Sequence, residues 1–342
     1  DIDADGLDDF VVGTATGVFV YYNAGGGTFA DGSPLVTDSQ FVRTLTTGDA
    51  DADGDVDVIV LFNVPVDDFQ VFVNTGDRGF LRGQSINVVG GTTSMLLEDL
   101  GGDGVDDLVL LSFVSSDVFV VWNMQSEGRL PLQPAQIVDA LGEPHTLDIG
   151  DLDGDGDFDA VTGNNFDTTI TIYMNRGDGT FDTRLQAGFQ SFSLTLSDLD
   201  GDGDLDLASV DQEFLLHVLK NDGAGNFGES AVYPAGANAF HVFAADVDGD
   251  GRNDILTANS GEATIGLLVN RGDATFEESR RLRVGAEPRA VAAADLDGDG
   301  DLELIAASQG SGSVSLLYNL GELTFEPLIQ FPLPSAPLFV VP

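Results

Sequence analysis

The chain has no cysteine, one tryptophan, three histidines and a single lysine, Lys220, among its 342 residues. Disulfides and thiol chemistry are therefore unavailable, and acid–base catalysis by histidine has little to draw on. Positive charge is scarce: 13 bases stand against 58 acids, for a net charge of −45. Such a field repels nucleic acid and anionic membrane surfaces, so neither is expected as a partner. No apolar run approaches the roughly 20 residues of a membrane span, so no membrane insertion is expected. Helical periodicity is missing too, because no window spaces its apolar residues by three and four. The chain starts at Asp1 without an initiator methionine or a leader-like segment. It is therefore expected to be processed, or to belong with further domains of a longer chain.

Apolar residues make up 42% of the chain and the mean hydropathy is +0.08, enough for a core and too much for a disordered acidic tail. The length exceeds that of one ordinary core, which leaves several domains, a barrel or a repeat array. The acids decide between these, because 33 of the 58 fall in seven nine-residue stretches. In Asp151-Leu152-Asp153-Gly154-Asp155-Gly156-Asp157-Phe158-Asp159 the carboxylates stand at the first, third, fifth and ninth positions, with glycine at the sixth. Alternate side chains of a tightly curved loop converge on one point, and Gly156 provides the backbone freedom for the curve. An all-oxygen, strongly negative cage suits Ca²⁺ better than zinc or copper.

The expected ligands are Asp1, Asp3, Asp5 and Asp9 in the first copy, and Asp49, Asp51, Asp53 and Asp57 in the second. They are Asp151, Asp153, Asp155 and Asp159 in the fourth, and Asp198, Asp200, Asp202 and Asp206 in the fifth. The sixth offers Asp246, Asp248, Asp250 and Asp254, and the seventh Asp295, Asp297, Asp299 and Glu303. In the third copy Gly101 replaces an aspartate, leaving Asp99, Asp103 and Asp107. Six or seven calcium ions are expected, with the third site weakest or empty. A helix-flanked twelve-residue loop would need an acid at position twelve, where the copies hold Val12, Val60, Leu110, Thr162, Ser209, Thr257 and Ala306.

The copies open at intervals of 48, 50, 52, 47, 48 and 49 residues, giving units 1–48, 49–98, 99–150, 151–197, 198–245, 246–294 and 295–342. Each unit holds four short β-branched or aromatic stretches, read as strands. Four strands per unit of about 40–50 residues is the pattern of a propeller blade. The fold expected is all-β: one seven-bladed β-propeller over 1–342, with four antiparallel strands per blade. The tail from Phe331 to Val341 lines up with Val284 onward and supplies the strand that the first unit lacks. Ring closure of this kind hides the edges that an open array exposes.

Stretches such as Asp198 to Ala208, followed by Val218-Leu219-Lys220-Asn221-Asp222-Gly223-Ala224-Gly225-Asn226-Phe227, resemble the FG-GAP or VCBS-type repeat of integrin-α-like propellers. The resemblance spans essentially the whole chain. It implies Ca²⁺ held between the first two strands of a blade, and roles in adhesion, sugar binding or accessory domains of secreted proteins.

A second motif, Asn-x-Gly-x-x-x-Phe, recurs from Asn23, Asn74, Asn175, Asn221, Asn270 and Asn319; the third copy departs from it at Asn123. Asn and Gly are expected to take positive φ in a tight hairpin, and the Phe to pack between blades. Two of these turns contain Arg-Gly-Asp, at Arg176 and Arg271. The turn already calls for Gly-Asp, so the match carries little weight as an integrin-binding signal. His217 reads as structural, and Arg280, Arg281, Arg283 and Arg289 as a basic patch paired with nearby acids.

Six residues before each loop stand Arg43, Thr93, His145, Phe192, Phe240 and Arg289. On a propeller they ring the central channel at the face away from the calcium loops. Variation at a repeated position marks residues that the scaffold does not dictate, so Arg43, His145, Phe192, Phe240 and Arg289 are the candidate ligand-binding set. The expectation is a non-catalytic, calcium-binding, extracellular or cell-surface module for adhesion or for a protein or glycan ligand. The alternatives are a structural domain of a larger surface or filament protein, and a polysaccharide-active lyase or hydrolase.

Overall fold

Short apolar strands alternate with Gly- and Asp-rich turns along the whole chain, and the turns bring each strand antiparallel to the one before. The computed structural model describes residues 1–342 apart from 27, 31, 37–41, 52, 64–66, 77, 88–90, 102–105, 113, 122–135, 140–143, 167, 178–179, 327, 334 and 342. The strands form seven four-stranded antiparallel sheets and, among the described residues, no helix. The fold is the expected seven-bladed propeller. Blade 4 is representative, with strands Pro144–Gly150, Asp159–Asn164, Thr169–Asn175 and Phe181–Ala187 from the axis outward.

The second strand of a blade is buried along its whole length, as in Asp159–Asn164, Asp206–Asp211 and Glu303–Ser308. Both of its faces meet a neighbouring blade, so it reads as a continuous buried run and not as an alternating one. The core is accordingly divided into seven apolar clusters, each spanning two adjacent blades. One of them joins Ile305 and Leu316 of blade 7 to Phe10 and Phe19 of blade 1. The motif phenylalanines lie in these seams: Phe227 and Phe276 are buried, and Phe29 and Phe181 pack against seam residues.

Close packing of the seams explains one glycine. A Cβ on Gly163 would stand 2.2 Å from Ser191 Oγ and 2.8 Å from Thr146 Cγ2, in the next blade and its own inner strand.

The C-terminal strand Pro337–Val341 completes blade 1, pairing Val340 with Val12 and Val341 with Val11. Ring closure is as expected, but the tail's register is two residues away from the sequence alignment. Pro337 pairs with Thr14 as Pro288 pairs with Ser308, so Pro337 is the counterpart of Pro288. Strand pairing sets the register here, which the order of residues in the Pro-rich tail does not. Each repeat unit therefore lends its last strand to the following blade, so unit boundaries and blade boundaries differ by one strand.

The innermost strands are Val42–Gly48, Thr92–Glu98, Pro144–Gly150, Ser191–Ser197, Ala239–Ala245, Pro288–Ala294 and Pro337–Val341. Each runs from the channel mouth to the acidic face, about 20 Å at ordinary strand rise.

Candidate functional site: an acidic ring and a channel mouth

The acidic loops follow the innermost strands. Among the described residues their sixth positions have strongly positive φ, 94° at Gly156 and 96° at Gly203, which folds the loop back on itself. Gly154 and Gly201 do the same at the fourth position, and in the first loop the non-glycine Ala4 is held at φ 58°. In the loops of blades 1, 2, 4, 5, 6 and 7 the first carboxylate accepts N–H groups from the fourth or fifth and the sixth residues at 2.7–3.1 Å. Carboxylate oxygens of Asp1, Asp3 and Asp5 lie within 4.8 Å of one another, as do those of Asp49, Asp51 and Asp53 and of Asp246, Asp248 and Asp250. In blades 4 and 5 the groups are Asp151, Asp153 and Asp159, and Asp198, Asp200 and Asp206.

The third residue is the most telling. Asp3 Oδ1, Asp51 Oδ1 and Asp153 Oδ1 are buried and accept no hydrogen bond. A buried carboxylate oxygen without a donor is costly, and it fits a loop built to hold a hard divalent cation. Burial, with the neighbouring carboxylates adding to it, raises the pKa of Asp51, Asp153, Asp248 and Asp297. Three loops carry a base as well: Arg78 Nε donates to Asp3 Oδ2 at 2.6 Å, Lys220 Nζ stands 2.8 Å from Asp200 Oδ2, and Arg252 pairs with Asp250 within the sixth loop.

The ninth carboxylate has a second task that the spacing does not reveal. In blades 1, 2, 4, 5, 6 and 7 it is buried and accepts two backbone N–H groups, from the loop's second residue and from the motif asparagine, at 2.7–3.3 Å. Burial raises its pKa to about 7 in Asp57, Asp254 and Glu303 and to about 6 in Asp159 and Asp206. Asp103, the turn at Asn123 and Asp178 of the first Arg-Gly-Asp lie outside the described residues. Asp107 is buried like its equivalents.

The motif asparagine corrects its sequence reading. None of the six takes positive φ; the glycine two residues on does, as at Gly272 with φ 89°. The asparagine amide instead donates across the seam to the second-residue carbonyl of another blade's loop, at 2.6–2.9 Å. A short amide side chain at a fixed place in every blade is the signal that could have suggested it.

At the opposite end of the channel, Thr93, His145, Phe192, Phe240 and Arg289 line one cavity of about 420 Å³. Arg43 occupies the corresponding place, but its neighbour Thr44 lines the cavity in its stead. Strand pairing explains their common setting. In each innermost strand the register shifts at the second residue: Val42 pairs with Phe62 and Thr44 with Leu61, which skips Arg43. Thr93, His145, Phe192, Phe240 and Arg289 are skipped in the same way, and Leu338 is the seventh member, missed because of the tail misalignment. A bulge of this kind re-aims the side chain of the unpaired residue.

Four of these residues touch in sequence around the mouth. The His145 and Phe192 rings are 5.9 Å apart at 87°, and those of Phe192 and Phe240 5.8 Å apart at 71°. Arg289 Cζ lies 4.2 Å over the centre of the Phe240 ring, and its Nε donates to Gln309 Oε1 at 2.8 Å. His145 Nδ1–H donates to the Phe192 carbonyl at 3.2 Å, while burial lowers its pKa, a shift to which the nearby Arg43 adds. Arg281 pairs with Glu262 as the basic-patch reading expected, at 3.1 Å, whereas Arg289 forms no ion pair among the described residues. His217 is held by Asp211 at 2.8 Å and stacks on Phe189.

Deeper in the channel is Asp148, a lining residue that sequence reasoning missed. Burial pushes its pKa to about 6, although its oxygens accept N–H bonds from Ile149 and Leu196. Six hydroxyl residues, Thr44, Thr93, Ser94, Thr146, Ser193 and Thr195, and His241 complete the polar part of the wall among the described residues.

No curated protein matches the chain in sequence. Among solved structures, it is similar to an Agrocybe aegerita lectin whose structure concerns recognition of non-reducing terminal N-acetylglucosamine. The identity is 22%, over 95% of this chain and 90% of that one, with a TM-score of 0.66. A Pseudomonas aeruginosa periplasmic gluconolactonase is similar at 14% identity over 98% and 99% of the two chains, with a TM-score of 0.68. A protein from Lactobacillus plantarum is similar at 13% identity over 98% of each chain, with a TM-score of 0.70. These likenesses concern the fold. The FG-GAP-like repeat matches at residues 1–60, 99–162, 151–209, 198–257 and 246–306, and the chain belongs to that repeat family.

Proposed function

We propose that the protein is a calcium-stabilised propeller of the extracellular space or cell surface that binds a glycan at the channel mouth. The observation that carries this reading is the ring of bulged second residues. Seven blades repeat one backbone irregularity, yet place Arg43, Thr93, His145, Phe192, Phe240, Arg289 and Leu338 at it. A scaffold would be served by the same small residue each time; varied polar and aromatic side chains around a 420 Å³ cavity suit a ligand. Aromatic faces stack on the C–H faces of sugars, and Ser and Thr hydroxyls exchange hydrogen bonds with sugar hydroxyls.

In this reading calcium neutralises the loop carboxylates and cross-links each loop. The residues that would hold it are those at the first, third, fifth and ninth positions, with the unsatisfied oxygens of Asp3, Asp51 and Asp153 as the strongest support. The ions lie at the face away from the mouth, so they act on the scaffold. We propose binding and not turnover, because among the described residues Asp148 is the one carboxyl residue in the cavity wall, and most glycosidases need two facing carboxyls. A glycan array probed with the calcium-loaded protein tests the reading. Binding that disappears in Phe240→Ala, with the melting temperature unchanged, supports it; binding indifferent to Phe240 and Phe192 sinks it.

A further inference from the structure

The mouth carries a feature that a neutral sugar does not use. Acids outnumber bases 58 to 13 in this chain, and Arg78, Arg176, Lys220, Arg252 and Arg281 each pair with one. Arg289 does not. Its guanidinium lies flat on Phe240, with Cζ 4.2 Å from the ring centre, and its Nε is anchored by Gln309 Oε1 at 2.8 Å. Both contacts fix the plane of the fork and leave the two terminal nitrogens, Nη1 and Nη2, without a partner among the described residues. A fork held in this way is pre-organised for a planar two-oxygen acceptor, with little entropy left to lose on binding.

We propose that the ligand of this mouth is an acidic sugar, a uronate at the end of a glycan chain, with its carboxylate on Arg289. The proposal rests on the glycan-binding reading and adds the charge and the orientation of the ligand. Phe240 carries the guanidinium on its face and meets Phe192 edge-on, so a ring following the carboxylate enters along Phe192 and His145. Asp148 sits three residues further down the strand that carries His145, about 10 Å deeper at ordinary strand rise. A carboxylate pointing inward would face it, so the acidic group stays at the mouth and the hydroxyls point down the channel. The protein's overall negative field repels any anion, so selectivity has to come from this short-range contact, which salt screens least.

The test measures binding of glucuronate- and galacturonate-terminated disaccharides to the calcium-loaded chain by titration calorimetry. Their carboxyl-reduced neutral forms and an acidic peptide serve as comparisons. The expected result is at least about tenfold tighter binding of one uronate over its neutral form, the worth of one charge-assisted pair. Arg289→Gln should remove that preference, so that the uronate binds no tighter than its neutral form. Gln309→Leu, which only frees the guanidinium, should reduce the preference in part, and both variants should melt with the wild type. Equal binding of acidic and neutral sugars overturns the uronate inference while leaving the glycan reading intact. So does a preference that survives Arg289→Gln, or an acidic peptide that binds better than either sugar. No binding of any sugar overturns both.

Discussion

The backbone N–H of Asn270 donates to Asp254 Oδ1 at 2.8 Å, and the Asn270 side-chain amide reaches the Leu199 carbonyl of the neighbouring blade at 2.9 Å. Asp254 is the ninth residue of an acidic loop and Leu199 the second residue of the loop before it. Two motifs that lie about twenty residues apart in each repeat are thus parts of one device. The carboxylate that closes a loop also fixes the asparagine, and the asparagine ties that loop to the next blade. Order in one loop is passed around the ring by hydrogen bonds as well as by apolar packing.

Removing that tie should be costly. Asn270→Ala removes one of the two donors to the Leu199 carbonyl, which keeps the Ala274 N–H at 3.0 Å, and also loses the bond to the Asn253 carbonyl, at 2.8 Å. The expected loss is about 1–3 kcal/mol in urea denaturation. A change within a few tenths of a kcal/mol would mean that the apolar seams alone join the blades.

Calcium should raise the melting temperature in proportion to the logarithm of its concentration once the sites fill, because only the folded ring assembles them. Metal analysis after equilibrium dialysis should return six ions per chain, the third loop being the weak one through Gly101. Asp153→Asn should lower the count by one without unfolding the protein. A melting temperature unaffected by chelator contradicts the calcium reading.

Gly163→Ala should destabilise by about 1–3 kcal/mol, the ordinary cost of overpacking. The new methyl would meet the Cβ of Ser191 at 2.5 Å as well as its hydroxyl, and a strand backbone cannot step aside. Gly154→Ala, whose Cβ meets nothing within 4 Å, isolates the separate cost of its positive φ of 74°.

His241 provides a pH signature. Burial lowers its pKa from 6.5 to about 4, and its Nδ1 accepts the Val291 N–H at 3.4 Å. The unfolded chain binds a proton on this side chain below pH about 6.5 that the folded chain refuses until about 4. The neutral form's contribution is therefore complete above the upper value and is lost as pH falls through that window. The stability difference between wild type and His241→Gln should shrink between neutral pH and pH about 4, by at most about 3 kcal/mol. Parallel pH profiles of the two proteins would exclude a buried neutral His241.

Deleting residues 335–342 removes the strand that pairs Val340 with Val12. It also uncovers the edge of Phe10–Thr14. The truncated chain should lose cooperative unfolding and associate through the open edge. Gel filtration and calorimetry would show this directly, and a monomer with an unchanged melting temperature would refute it.

Spacing and residue type were enough to determine the repeat, the seven blades, the ring closure and the acidic loops. The reason is local: a loop of nine residues with alternating aspartates and a glycine at the turn carries its geometry in its own sequence. The same holds for the Gly-rich turn before each phenylalanine. What the chain could not reveal by itself depends on which strands pair, in what register, and which blades meet. The asparagine amide's partner is a carbonyl one blade away, the tail's register follows from its pairing with Val11 to Thr14, and the bulge that turns His145, Phe192 and Arg289 into the channel exists only against the second strand. Asp148 and Gln309 became part of the mouth's surroundings for the same reason, since their neighbours are set by the closed ring and not by the order of the chain.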